Sequence, residues 1–136
     1  MHNPLKELAY ISGAWQGEGF ILDFTEPVYT LMFGNMQASN EAGMTVYWET
    51  FRFEAKNEKL FVYPAQMGHE NGAYIGEKQE SAEGHAHVFR TFIHKSANIQ
   101  EIYFNTSHPG KELVMGVRGG NENGPFEKEW KLTKRQ

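Results

Sequence analysis

Apolar and polar residues alternate along most of this chain, the pattern of strands that bury one face. The clearest case is 45–56, where Tyr47, Glu49, Phe51 and Phe53 share one face because successive side chains of a strand point to opposite sides. Short gaps between the alternating segments favour antiparallel neighbours joined by hairpins. The pattern predicts further strands over 15–24, 27–38, 59–67, 73–76, 84–95, 98–105, 111–118 and 126–134, with a polar loop over 77–84.

The first residues depart from this period and predict a short helix. Asn3 is a favourable N-cap residue, and Pro4 suits the first helical position. Leu5 and Leu8 fall on one face at helical spacing, and Ser12 begins the turn that ends the segment. We expect this helix to lie over one end of the strand assembly.

The strand pattern predicts the fold class. Roughly eight to ten strands favour an all-β fold, a single antiparallel up-and-down β-barrel with a short N-terminal helix. Residues 1–136 are interpreted as one domain, because no repeat, linker or low-complexity tract interrupts the pattern. Such a barrel has an interior in which a function could reside.

Composition narrows the classes of partner. A net charge of -4 argues against nucleic acid, which binds to a clustered basic face. The absence of cysteine excludes disulfides and thiolate metal sites. We find no signal-peptide pattern and no apolar run of the roughly 20 residues that a membrane-spanning helix needs. We therefore expect a cytoplasmic protein without membrane or nucleic-acid partners, and we leave a homodimer open.

Glu49 is the most informative single residue. It lies on the aromatic face of its strand, between Tyr47 and Phe51. A carboxylate on a buried face must be paired, hydrogen-bonded, hydrated or protonated. Two interpretations stay open: a polar anchor within the barrel wall, or a group that faces a ligand.

Several other residues are candidates for chemistry. Pro27 holds Glu26 in an extended conformation and so fixes its direction, although a solvated turn residue is the alternative. His108 lies in a polar loop, where a histidine is usually structural or solvated. His85 and His87 share a strand face and could bind a metal if a third ligand were close, but such pairs are common by chance and we expect no metal site.

Non-enzymatic binding is the function that we expect. The barrel interior would hold a small, largely apolar or aromatic ligand, without a cofactor. One alternative is an enzyme that uses Glu49 with Glu26 or His108 as acid–base groups. Another is a barrel packed solid, which would serve as an interaction module through an apolar patch around Trp48 or Trp130. The candidate ligand-binding residues are Trp15, Glu26, Tyr47, Glu49, Phe51, Gln66 and His108.

The segment Gly13–Gly19 carries a resemblance. It places Trp15 between glycines at the head of the first strand, where Trp15 could plug one end of the barrel. This opening resembles the start of calycin-type barrels of the lipocalin and nitrobindin kind, and nitrobindin-like haem barrels share Gly-x-Trp-x-Gly-x-Gly here. Over residues 8–134 the chain is similar to a family of small bacterial calycin-like domains of unknown function. The matching segments contain Glu26, Phe33–Met36, Tyr47–Phe51, Tyr63–Gln66 and Phe104–His108.

The resemblance implies a calycin-like barrel and adds haem binding as an alternative function. The family motif continues with Asp-Phe-Pro after its histidine, whereas this chain has Pro109 and Gly110 after His108. Nitrobindin-like chains carry their iron-binding histidine in a C-terminal strand, but 126–136 contains no histidine. A haem ligand would then be His94, His108 or another strand residue, so haem takes second place.

Overall fold

A computed structural model describes residues 3–70, 72–79, 84–92 and 99–135. Within them the chain forms one short 3₁₀ helix, Pro4–Ile11, followed by antiparallel strands. The strands are β1 (Gly13–Gly17), β2 (Phe20–Phe24), β3 (Leu31–Ser39), β4 (Thr45–Lys56), β5 (Lys59–Gln66), β6 (His69–Glu70), β7 (Tyr74–Gln79), β8 (His85–Thr91), β9 (Ile99–Thr106), β10 (Glu112–Asn121) and β11 (Gly124–Lys134).

The sheet closes on itself. Strands pair in chain order from β1 to β5, then β7 to β11, and Trp15 of β1 pairs with Lys134 of β11 to complete the circle. The two-residue strand β6 lies outside this circle and, among the described strands, pairs with the end of β5. A closed, ten-strand antiparallel barrel with an N-terminal helix confirms the predicted fold class.

The observed bounds of several strands differ from the predicted bounds. The segment 45–56 is a strand as predicted, but 15–24 is two strands, separated by a turn at which Gly19 has a φ of 68°. The segment predicted from 27 begins as a strand only at 31, because the preceding loop contains Tyr29 with a φ of 54°. The predicted polar loop 77–84 begins later, since β7 continues to 79. The strand predicted over 84–95 ends at 91, and 93–95 fall outside the described residues.

The N-terminal helix covers the end of the barrel at which β1 begins, here called the helix end. Asn3 caps the helix by accepting a hydrogen bond from the backbone of Leu5 at 3.1 Å, and Leu5, Leu8 and Ile11 are fully buried. Trp15 lies fully buried beneath it and donates its indole N–H to the carbonyl of Ile11 at 2.8 Å. The described part of the chain contains no helix with the length and hydrophobicity of a membrane span.

Aromatic side chains fill the barrel interior above Trp15. Their ring centroids are 5.7 to 6.3 Å apart, in mostly tilted or edge-on contacts. A glycine makes room for one of them, because a Cβ on Gly34 would overlap the ring of Phe24. We call this cluster the aromatic floor; it consists of Phe24, Phe51, Phe53, Phe89 and Phe104.

Candidate functional site

A cavity of about 380 Å³ occupies the barrel interior on the side of the aromatic floor away from the helix. We call this end of the barrel the mouth. The size of the cavity falls within the range of small-molecule sites, which is about 300–1,000 Å³. The interior is therefore not packed solid, as one alternative required. Apolar side chains supply most of the wall: Phe20, Met36, Ala38, Pro64, Ile99, Ile102, Met115 and Val117. The aromatic and polar wall residues are Tyr47, Tyr74, Phe126, Trp130, Glu49, Gln66 and Lys128.

Strand alternation explains how these residues come to share one space. On β11, Phe126, Lys128 and Trp130 occupy every second position and so point to the same side. Trp130 stacks on Phe20 with ring centroids 5.2 Å apart and an angle of 9° between the planes. Trp130 is thus part of the cavity wall and not of an outer patch, while Trp48 is 39% exposed.

Glu49 presents its carboxylate to this cavity. Its side chain is 8% exposed, and its neighbours Thr50 and Trp48 face outward, which confirms the predicted inward face of β4. The hydroxyl of Tyr47 donates a hydrogen bond to Oε1 of Glu49 at 2.7 Å. Gln66 is the residue directly opposite Glu49 on β5. Three of the predicted site residues, Tyr47, Glu49 and Gln66, therefore line one cavity.

Burial sets the electrostatics of this group. Removal from water raises the pKa of Glu49 above its ordinary value, and the hydrogen bond from Tyr47 offsets part of the increase. Within the described residues, no Lys, Arg or His forms an ion pair with Glu49. Glu49 is thus a buried carboxylate of the cavity wall that has no ion-pair partner among the described residues.

Two further polar groups border the cavity. Burial raises the pKa of Tyr74 to about 12, so its hydroxyl stays neutral, and it donates to the carbonyl of Ile99 at 2.8 Å. Lys128 is exposed, and its Nζ lies 5.1 Å from the ring centroid of Trp130. This ammonium lies in the range of a cation–π contact with the cavity wall.

The remaining predicted site residues lie away from the cavity. Trp15 is buried beneath the helix, and Phe51 belongs to the aromatic floor. Glu26 is exposed in the β2–β3 loop, which is tied to the helix by a 2.8 Å hydrogen bond from Asn3 to the carbonyl of Tyr29. None of these residues is part of the cavity wall.

His108 lies at the helix end of the barrel, in the β9–β10 loop. Its Nδ1 contacts both Glu112 Oε1, at 2.5 Å, and Ser107 Oγ, at 3.2 Å, and the ring is exposed. Glu49 faces the mouth on the other side of the aromatic floor, so the structure does not bring it together with His108 or Glu26. The proposed acid–base pairing is therefore not formed.

The paired histidines of β8 contact the helix. The ring of Tyr10 stacks on His85 with centroids 5.1 Å apart, and its hydroxyl is hydrogen-bonded to Nδ1 of His87 at 3.0 Å. His87 is 2% exposed, and burial lowers its pKa to about 4. Across the described ranges, no group of three or more His, Asp or Glu side chains is arranged to hold a metal ion.

The haem alternative requires an iron ligand near the cavity. No histidine occurs among the residues that line it, and His94 lies outside the described residues. The histidine ligand that the nitrobindin resemblance implies therefore has no counterpart in the described wall, and these residues do not fit haem.

Sequence reasoning missed much of the wall. Phe20, Met36, Ile102, Met115 and Trp130 carry the alternating signal of inward residues, but alternation does not tell which inward positions fill the interior and which border a cavity. The register of strand pairing supplies this information, because it shows which residues of neighbouring strands lie side by side. Met36 on β3 and Gln66 on β5 lie on either side of Glu49. The chain matches no protein-family model and no curated protein sequence.

Proposed function

We propose that this protein is a calycin-like binding barrel that holds a small, largely apolar molecule in the cavity at its mouth. The observation that carries the proposal is an apolar cavity with one buried carboxylate in its wall. Binding sites for small molecules combine apolar walls with a few polar groups that fix the orientation of the ligand. The resemblance to lipocalin and nitrobindin-type barrels supports the same class of function.

The contrast between the two halves of the interior supports the proposal further. The rings of the aromatic floor contact one another, and one of them lies directly over Gly34. Protein interiors are normally close-packed, and filling a void adds dispersion contacts. The space above the floor has the same kinds of side chains around it, yet it stays open. A barrel that only had to be stable would gain from filling it.

A thermal-shift panel tests this function. The panel contains fatty acids, aromatic metabolites, aromatic amines and haemin, each added to the purified chain. A ligand at 100 times its dissociation constant stabilises the native state by about 2.7 kcal/mol. We expect at least one apolar or aromatic compound to raise the melting temperature, and haemin to give no sharp Soret band.

Replacing either of two alanines with phenylalanine locates the site. Ala38 lines the cavity, and Ala38→Phe would fill much of it. Ala86 lies on β8 between His85 and His87 and points the opposite way, to the outer face of the barrel. Stabilisation by the panel compounds should disappear in Ala38→Phe and persist in Ala86→Phe. A panel without any hit, or hits that Ala38→Phe leaves unchanged, would contradict the proposal.

A further inference from the structure

The carboxylate of Glu49 favours a positively charged group on a molecule that binds in the cavity. Glu49 is 8% exposed, points into the space and accepts a hydrogen bond from the neutral hydroxyl of Tyr47. The ion pairs of the described residues do not include it. A buried charge without a counter-ion is costly, whereas a hydrogen bond from a cation to a carboxylate is among the strongest in proteins.

The aromatic part of the wall favours the same kind of guest. Trp130 and Phe20 form a stacked pair, and Tyr47 and Phe126 add further rings. The faces of aromatic rings attract cations, and aromatic cages are a common way to bind ammonium groups. Lys128 illustrates this in the protein itself, with its ammonium 5.1 Å from the ring centroid of Trp130.

We propose that the ligand is a small aromatic or aliphatic amine whose ammonium group pairs with Glu49 while its apolar body packs against the rings of the wall. This inference rests on the proposed function and names the chemical class of its ligand. The aromatic floor limits the depth of entry, so the ammonium binds at Glu49 and the body occupies the space between Glu49 and the Phe20–Trp130 stack.

An anionic ligand held by Lys128 is the competing class. Lys128 is exposed to water, whereas Glu49 is buried, and charges interact more strongly where water is excluded. An anion would also share the cavity with the Glu49 carboxylate, and two like charges in one apolar space repel. Both comparisons favour the amine. Lys128 instead opposes cation entry, since it carries the same charge as the ligand.

Three indole compounds of similar size and different head group test the inference. Tryptamine carries an ammonium group, tryptophol a neutral hydroxyl and indoleacetate a carboxylate, and isothermal titration at about pH 7.5 gives the affinity of each. We expect tryptamine to bind about tenfold or more tightly than tryptophol, because its hydrogen bond to Glu49 is charge-assisted. Indoleacetate should bind most weakly.

Variants connect the preference to Glu49. Glu49→Gln keeps the acceptor for Tyr47 and removes the charge, so tryptamine should lose about tenfold in affinity, while tryptophol changes by roughly threefold or less. Lys128→Met removes the opposing cation from an exposed position, so tryptamine should bind more tightly and indoleacetate more weakly. Circular dichroism verifies the fold of both variants. If Glu49→Gln does not fold, the Lys128→Met result decides, and unchanged or weaker tryptamine binding overturns the inference.

The failure of this inference differs from the failure of the proposed function. If tryptophol or indoleacetate binds as tightly as tryptamine, and Ala38→Phe abolishes that binding, the cavity binds ligands but the amine class is wrong. If none of the three compounds binds, the amine class is also overturned, and the wider thermal-shift panel decides separately whether the cavity binds anything. If tryptamine is preferred equally by wild type and Glu49→Gln, Glu49 is not its partner.

Discussion

Acid should destabilise the barrel through His87, a buried residue of β8 that contacts the N-terminal helix. Its ring is 2% exposed and hydrogen-bonded to the hydroxyl of Tyr10 at 3.0 Å. Burial lowers its pKa from 6.5 to about 4, so the folded protein resists protonation that the unfolded chain accepts. Between about pH 6.5 and pH 4 the unfolded state therefore binds more protons, and stability falls as the pH falls through this window.

The size of the effect follows from the two pKa values. Each pKa unit corresponds to about 1.4 kcal/mol, so a decrease from 6.5 to about 4 corresponds to a loss of about 3 kcal/mol across the window. Below about pH 4 His87 is protonated in both states, and its contribution no longer changes. A loss of this size is a large fraction of the stability of a typical domain, which is about 5–15 kcal/mol.

Denaturant unfolding at a series of pH values measures how the free energy of unfolding changes with pH. The free energy of unfolding of wild type is compared with that of His87→Gln, which keeps a polar side chain but does not titrate. His69→Gln is the control, because His69 is exposed on β6. The wild type and the control should lose about 3 kcal/mol more than His87→Gln between about pH 6.5 and pH 4. Equal slopes in wild type and His87→Gln would refute the reasoning.

Three further predictions concern the cavity and the floor beneath it. At about pH 8, ligand-free Glu49→Gln should melt at or above the wild-type temperature. The raised pKa of Glu49 stabilises the fold at low pH, and this contribution is lost as the pH rises through the pKa of the folded state. A lower melting temperature of Glu49→Gln would show that the protein compensates the charge of the Glu49 carboxylate well. Gly34→Ala should cost about 1–3 kcal/mol in denaturant unfolding, because its Cβ overlaps the ring of Phe24, whereas Gly120→Ala, whose Cβ has ordinary space, should be near neutral; equal effects would contradict this account. Phe53→Ala should cost about 3–5 kcal/mol and let larger compounds bind, and unchanged stability would show that the floor is not tightly packed.

The fold was largely predictable because alternation is a local signal. Residues 45–56 alternate without a break, and they form β4 as predicted. The prediction failed where a turn interrupts an apolar segment without changing its composition. The β1–β2 turn at Glu18 and Gly19 is one case, and the loop before Leu31 is another, since a left-handed residue such as Tyr29 has no strong sequence signature.

The site was predictable only in part, because it depends on register and depth. The inward face of Glu49 follows from its own strand, and Tyr47 is its neighbour on that face. Phe51 is on the same face but two positions deeper, where the interior is filled, and no pattern in the sequence distinguishes the two depths. Glu26 and His108 lie in loops, and only the pairing of strands tells at which end of the barrel each loop emerges.

Native mass spectrometry of the freshly purified chain tests the central claim most directly. The chain has a mass of 15.6 kDa, and a molecule held in the cavity would add its own mass and leave on collisional activation. We predict such an adduct on wild type and on Ala86→Phe, its absence from Ala38→Phe, and at least one basic nitrogen in the released compound. A wild-type chain that carries no adduct and gains none from any compound of the thermal-shift panel would contradict the claim that this barrel is a binding protein.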